Sequence, residues 1–117
     1  MDVAAAATEL WRAEMDGRFE IVAGTNVYAE SISFYSPDSP SQFIDFNYDW
    51  SPWITPARIN ENGLLIVCIM TDAECLETSK AMMSPGSKQF VRRFANEFYG
   101  MRAADHEFLF TLIPGRA

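Results

Sequence analysis

The sequence predicts an α/β protein, a three-layer sandwich whose mostly parallel sheet carries an antiparallel C-terminal edge. Three observations point there. Helix-like and strand-like segments alternate through the first eighty residues, which is the pattern of a sheet with helices on both faces. The longest apolar run, "GLLIVCIM" from Gly63 to Met70, is continuous rather than alternating, as a central strand covered on both faces requires. The last segment, "EFLFTLIPG" from Glu107 to Gly115, is a strand by composition, so the tail adds either a hairpin or one more helix–strand unit to the sheet.

The elements follow in order. Val3 to Asp16 reads as a helix, with Ala7, Leu10, Trp11 and Met15 on one stripe, Asp2 as its cap and Gly17 as its stop. "RFEIVAG" (Arg18 to Gly24) is a short strand ending at a glycine. "TNVYAESISFY" is a helix capped by Thr25 or Asn26 and stopped by Pro37, with Tyr28, Ile32 and Tyr35 on one face. Ser41 to Phe46 is a second strand and "NYDWSPWI" a loop. Thr55-Pro56 opens a short helix that Gly63 closes. "TDAE" (Thr71 to Glu74) after the central strand fits a capping box for a helix running to about Met83. "SPGS" (Ser84 to Ser87) breaks the chain. In "KQFVRRFANEFY" (Lys88 to Tyr99) the phenylalanines 90, 94 and 98 share a face whether the segment is helix or strand.

Length and composition bound the function. The 117 residues suffice for one domain, 1–117, and 49% hydrophobic with 21% charged residues is a globular balance. No apolar run approaches the ~18–20 residues that cross a bilayer, and "VAAAA" is too short for a signal peptide, so a soluble chain without its own address is expected. A net charge of −7 argues against nucleic acid. The charge is lopsided: residues 1–79 hold three basic and thirteen acidic side chains, residues 80–117 six basic and three acidic. A basic C-terminal third is either a solvated face or a surface for an acidic partner.

Candidate chemistry is sparse. His106 is the only histidine, with no nucleophile tied to it by motif. Cys68 and Cys75, with six residues between them, are too few for a zinc site, so no metal and no cofactor is expected. The residues favour two buried free thiols, with a disulfide open to them only in an oxidising compartment. Asp72 follows the central strand, where α/β sheets bind ligands, and is either a site residue or a helix cap. Gly24, Thr25 and Asn26 could offer backbone N–H groups to an anion, yet no nucleotide fingerprint surrounds them. Asp45 and Asp49, with Asp38 upstream, lack the further ligands a cation would need.

The stretch from Ser33 to Trp53, "SFYSPDSPSQFIDFNYDWSPW", holds seven aromatics and three aspartates but no histidine, cysteine, lysine or arginine. Such a stretch either stacks on the apolar faces of a sugar while carboxylates accept its hydroxyls, or closes a small core. Tyr35, Asp38, Trp50, Trp53 and Asp72 are the candidate substrate-binding residues.

Trp11-Arg12, Ala23-Gly24, "FYSPD" (Phe34 to Asp38) with Pro40, "SPW" (Ser51 to Trp53), Cys68 in its apolar strand and Pro114 together resemble the C-terminal soluble region of bacterial family-39 glycosyltransferases. These are membrane proteins related to protein mannosyltransferases and the lipid A aminoarabinose transferase. The resemblance covers nearly the whole chain. It implies a polytopic parent that uses a polyprenyl-phosphate-linked sugar and extends upstream of Met1, with its catalytic carboxylates in a part this chain lacks. It implies that this domain is a non-catalytic, periplasmic cover or acceptor-recognition module. Its partners would be the membrane-embedded part of the same polypeptide and a sugar or lipid-linked sugar. It further implies an oxidising setting, which favours a Cys68–Cys75 disulfide, and a C-terminal hairpin, which turns Lys88 to Tyr99 toward strand. The alternatives are a free-standing interaction module using exposed aromatics and, with only His106 and scattered acids behind it, a small hydrolase.

Overall fold

A computed structural model describes residues 3–94, 97–98, 101–102 and 106–116, with 97–98 and 101–102 given by backbone alone. Helix α1 (Val3–Glu14) is followed by β1 (Ile21–Gly24), α2 (Asn26–Tyr35), β2 (Ser41–Phe43) and a single 3-10 turn (Ile44–Phe46). Then come α3 (Pro56–Asn62), β3 (Leu64–Ile69), α4 (Ala73–Met82), β4 (Lys88–Phe94), β5 (Glu97–Phe98), β6 (Met101–Arg102) and β7 (His106–Ile113). Five strands form one sheet in the order β2-β1-β3-β7-β4, and β5 pairs with β6 separately.

β2, β1 and β3 are parallel, while β7 runs antiparallel to both β3 and β4. The expected parallel core and antiparallel edge are both present. The run Leu64 to Cys68 is fully buried, because successive side chains point to opposite covered faces. Leu65 and Val67 join Val22, Phe108, Phe110 and Leu112 under α1 and α2. Leu64, Ile66 and Cys68 join Ile21, Ala23 and Ile113 on the other face, with Ile59 of α3 and Leu76 and Met82 of α4 packed against them. The sheet is thus the middle of three layers.

Helix α1 buries Ala4, Ala7, Thr8 and Trp11. Trp11 stacks on Phe19 at 5.5 Å, and its indole N–H reaches the Gly17 carbonyl at 3.3 Å. The buried hydroxyls of Thr8 and Ser36, 2.6 Å apart, tie α1 to the end of α2. α3 begins as expected, with the Thr55 hydroxyl accepting the Arg58 N–H and Pro56 at the first position.

Three local expectations are corrected. The second strand stops at Phe43, because Asp45 and Phe46 turn to φ +50° and +53°, a left-handed pair that no strand can contain. Helix α4 is capped by Asp72, as the cap reading of that residue expected, its carboxylate accepting the Cys75 N–H; the capping box that would start at Thr71 is not formed. α1 ends at Glu14, two residues short of Asp16. The segment 88–94 is strand: Phe90 and Phe94 face α1's side of the sheet as β4 pairs along β7. Positions 95–96, 99–100 and 105 lie outside the described residues, as does the Asp2 cap.

Candidate functional site

The sheet determines where a site can form. The helices that follow β1 and β3 pack on opposite faces, α2 with the α1 layer and α4 with the α3 layer. Where neighbouring parallel strands send their helices to opposite sides, a crevice opens beyond their carboxyl ends. An open crevice of about 920 Å³ lies there.

Close approach of two backbones forms its floor. Gly24 has φ +130°, and a Cβ at that position would lie 1.9 Å from the Val67 carbonyl oxygen. Glycine alone lets β1 lie this close to β3. The next residue, Thr25, donates its N–H to the same Val67 carbonyl at 2.9 Å.

Each parallel strand then supplies a polar residue to the crevice: Thr25 after β1, Asp45 after β2 and Asp72 after β3. Thr25 and Asp72 are bonded directly, and Asp45 is bonded to Asn26, the residue after Thr25. The Thr25 hydroxyl donates to Asp72 Oδ2 at 2.8 Å and accepts the Ile69 N–H at 3.2 Å. The Asp72 Oδ1 accepts the Cys75 N–H at 3.2 Å, capping α4. The Thr25 side chain therefore bridges two strand-end turns instead of capping its own helix. Asn26 Nδ2 donates to Asp45 Oδ1 at 2.5 Å, which holds the left-handed turn against the start of α2. Glu74, Glu77 and Thr78 of α4 complete the polar wall, and Val27, Phe46 and Met82 supply apolar surface.

Among the described residues, the lining holds four carboxylates and no lysine, arginine or histidine. That balance opposes an anion at Gly24–Asn26, whatever the backbone N–H groups offer. Carboxylates and hydroxyls beside apolar side chains suit a neutral ligand rich in hydroxyl groups. Among the described residues, no three histidine, cysteine, aspartate or glutamate side chains converge as a metal site.

Cys68 and Cys75 are joined by a disulfide, with their Cα atoms 5.6 Å apart. This corrects the residue-level preference for free thiols. Cys68 is indeed buried in the central strand, but the turn at 70–72 folds the first turn of α4 back over it. The bonded Cys75 is itself part of the crevice wall.

Of the five candidate residues, Asp72 lines the crevice and the other four lie elsewhere. Asp38 is paired with Arg12 at 2.6 Å, and this hydrogen bond, followed by the carboxylate's charge, raises the Arg12 pKa. Trp53 donates its indole N–H to the Gln42 carbonyl of edge strand β2 at 2.8 Å. Arg58 holds the Trp53 carbonyl at 3.0 Å and the Ser41 hydroxyl at 3.1 Å, so Trp53 is stitched along the sheet edge. Tyr35 is 70% exposed and meets Phe34 edge-on, while Trp50 is 59% exposed. Asp45 and Asp49 separate: Asp45 enters the crevice, and the Asp49 N–H is held by Asn47. His106 sits in β7 beside Phe108. Glu74 was read only as the end of a capping box and Glu77 belonged to no motif; their signal as site residues is their place on the first turns of the helix after the central strand.

No family model, curated protein or solved structure matches this chain.

Proposed function

We propose that this chain is the non-catalytic extramembrane domain of a polyprenyl-phosphate-sugar-dependent membrane glycosyltransferase. Its role is to recognise the hydroxyl-rich part of the acceptor or to cover the reacting site. The observation that carries the reading is the crevice at the carboxyl edge of β1 and β3. Its carboxylates and hydroxyls are positioned to accept and donate hydrogen bonds, and no histidine, lysine or free thiol accompanies them. The disulfide supports a setting outside the cytoplasm, where such bonds persist. No helix among the described residues is long and apolar enough to cross a membrane, so the membrane-embedded part would be another segment of the same polypeptide.

The test is a titration of the folded, isotopically labelled chain with neutral mono- and disaccharides, followed by NMR. The reading expects saturable amide shifts at Thr25, Asn26, Asp45 and Asp72. Shifts absent from all four with every sugar, in a chain shown to be folded, would remove the crevice from the account.

A second reading has its own observation. Phe34, Tyr35, Trp50, Trp53 and Tyr48 are each more than two-fifths exposed. Aromatics in that state suit a protein-interaction module. A partner whose binding is lost with Phe34→Ala and Tyr35→Ala, while sugar shifts in the crevice are absent, would favour it.

A further inference from the structure

The disulfide stands at a specific point in the crevice. It closes a ring from Cys68 to Cys75, and Asp72 lies inside that ring. Through Asp72 and Ile69 the ring holds the Thr25 hydroxyl, and through Thr25 it holds the start of α2. One covalent bond therefore sets both turns that frame the crevice.

Helix α4 has little else to hold it. Its only buried residues are Cys75 and Ser79, with Leu76 and Met82 half-covered. Cys75 is its main apolar anchor, and that anchor is covalent. The layer formed by α1 and α2 packs around Trp11, Phe19, Leu65 and Phe110 and contains neither cysteine. A ring this short also restricts the unfolded chain less than a long one, because the entropic effect grows with the logarithm of loop length. Breaking it acts first on α4 and the crevice.

Access is one-sided. Cys68 is fully buried, whereas Cys75 is 4% exposed and belongs to the crevice wall. Among the described residues, the crevice is the open space that Cys75 lines, so it is the side from which a small dithiol approaches the bond.

We propose that the Cys68–Cys75 disulfide is a redox-sensitive tether that fixes the crevice, and that a dithiol reductant opens it. The first thiolate of the dithiol attacks Cys75 Sγ, the sulfur–sulfur bond breaks, and Cys68 leaves as a thiolate that takes up a proton. The second thiolate of the reductant then attacks the mixed disulfide. Cys75 is released and protonated, and the reductant leaves as its cyclic disulfide, having supplied two electrons. The first turn of α4 then separates from β3, the Asp72–Thr25 bridge is lost, and the crevice widens. This inference rests on the crevice geometry and holds whichever ligand the crevice takes.

Hydrogen exchange read by mass spectrometry tests it on the oxidised chain, the chain treated with dithiothreitol, and the Cys68→Ala/Cys75→Ala variant. Thiol titration confirms two free thiols after reduction. The expected result is a loss of amide protection in residues 73–82 and 25–29 that exceeds any loss in residues 4–14 and 64–66 by at least ~tenfold. The double variant should reproduce it without reductant. Three results would overturn the proposal: unchanged protection in 73–82 after confirmed reduction, an equal loss across α1, β3 and α4, or a native disulfide that dithiothreitol does not reduce at all. Sugar-induced shifts play no part in this readout, so its failure is distinct from failure of the functional reading.

Discussion

Gly24→Ala should destabilise the chain severely, and the size of the effect follows from two backbone facts. The added Cβ would meet the Val67 oxygen at 1.9 Å, its carbonyl carbon at 2.7 Å and its nitrogen at 2.8 Å. All three are backbone atoms of the central strand, so no side chain can rotate away. Moving from 1.9 Å to the 3.0 Å below which such contacts essentially do not occur separates β1 from β3 by about 1 Å. That shift breaks the 2.9 Å bond from the Thr25 N–H to the Val67 carbonyl, leaving a buried donor and acceptor unpaired at about 1–3 kcal/mol. A non-glycine residue at φ +130° adds strain of about 1–3 kcal/mol. Together the loss is about 4 kcal/mol, or a Tm lower by about 16 °C for a chain of this length. Urea unfolding followed by circular dichroism measures it. Gly17→Ala is the control: φ is +81°, but a Cβ there meets nothing within 4 Å, so only about 1 kcal/mol is expected. If Gly24→Ala loses less than about 1.5 kcal/mol, or no more than Gly17→Ala, the close approach of β1 to β3 is not what forms the crevice floor.

Other perturbations separate the remaining contacts. The Cys68→Ala/Cys75→Ala variant should lose about 2.5 kcal/mol in urea unfolding, the loop-closure value for a ring of about eight residues. Asp72→Ala removes the α4 cap and the Thr25 partner together and should cost about 1–2 kcal/mol by the same assay, whereas Asp72→Asn retains the capping oxygen and should lose less than half of that. Trp53→Phe keeps the ring but deletes the bond to the Gln42 carbonyl; a loss of about 0.5–1.5 kcal/mol is expected, and no loss would mean that the indole does not hold the edge strand.

The order of elements was legible because apolar periodicity and punctuation agreed. The continuous run at Leu64 to Ile69 marked the central strand, Gly63 and Thr55-Pro56 bracketed α3, and Gly24 marked the end of β1. Asp72 was legible for the same reason, since position after a parallel strand is a sequence-readable property. What was not legible depends on contacts far apart in the chain. The strand state of Lys88 to Phe94 is decided by pairing along β7, because a spacing of four fits both periods. The left-handed turn at Asp45 depends on Asn26, nineteen residues upstream. Trp53 read as a recognition residue from its loop composition, but its indole is engaged by the edge of β2. The residues alone left the disulfide undecided and the resemblance favoured it: burial of Cys68 argued for a free thiol, while the turn that brings Cys75 back over it is a property of the α4 cap.

The most direct test of the account is sugar transfer from a polyprenyl-phosphate donor by the native polypeptide, assayed intact, with residues 1–117 deleted, and with the 117-residue chain alone. The account predicts transfer by the intact polypeptide, none by the chain alone, and a marked loss of acceptor use on deletion that Asp45→Ala/Asp72→Ala partly reproduces. Transfer by the 117-residue chain unaided, or a native polypeptide that has no membrane-embedded part, would contradict it.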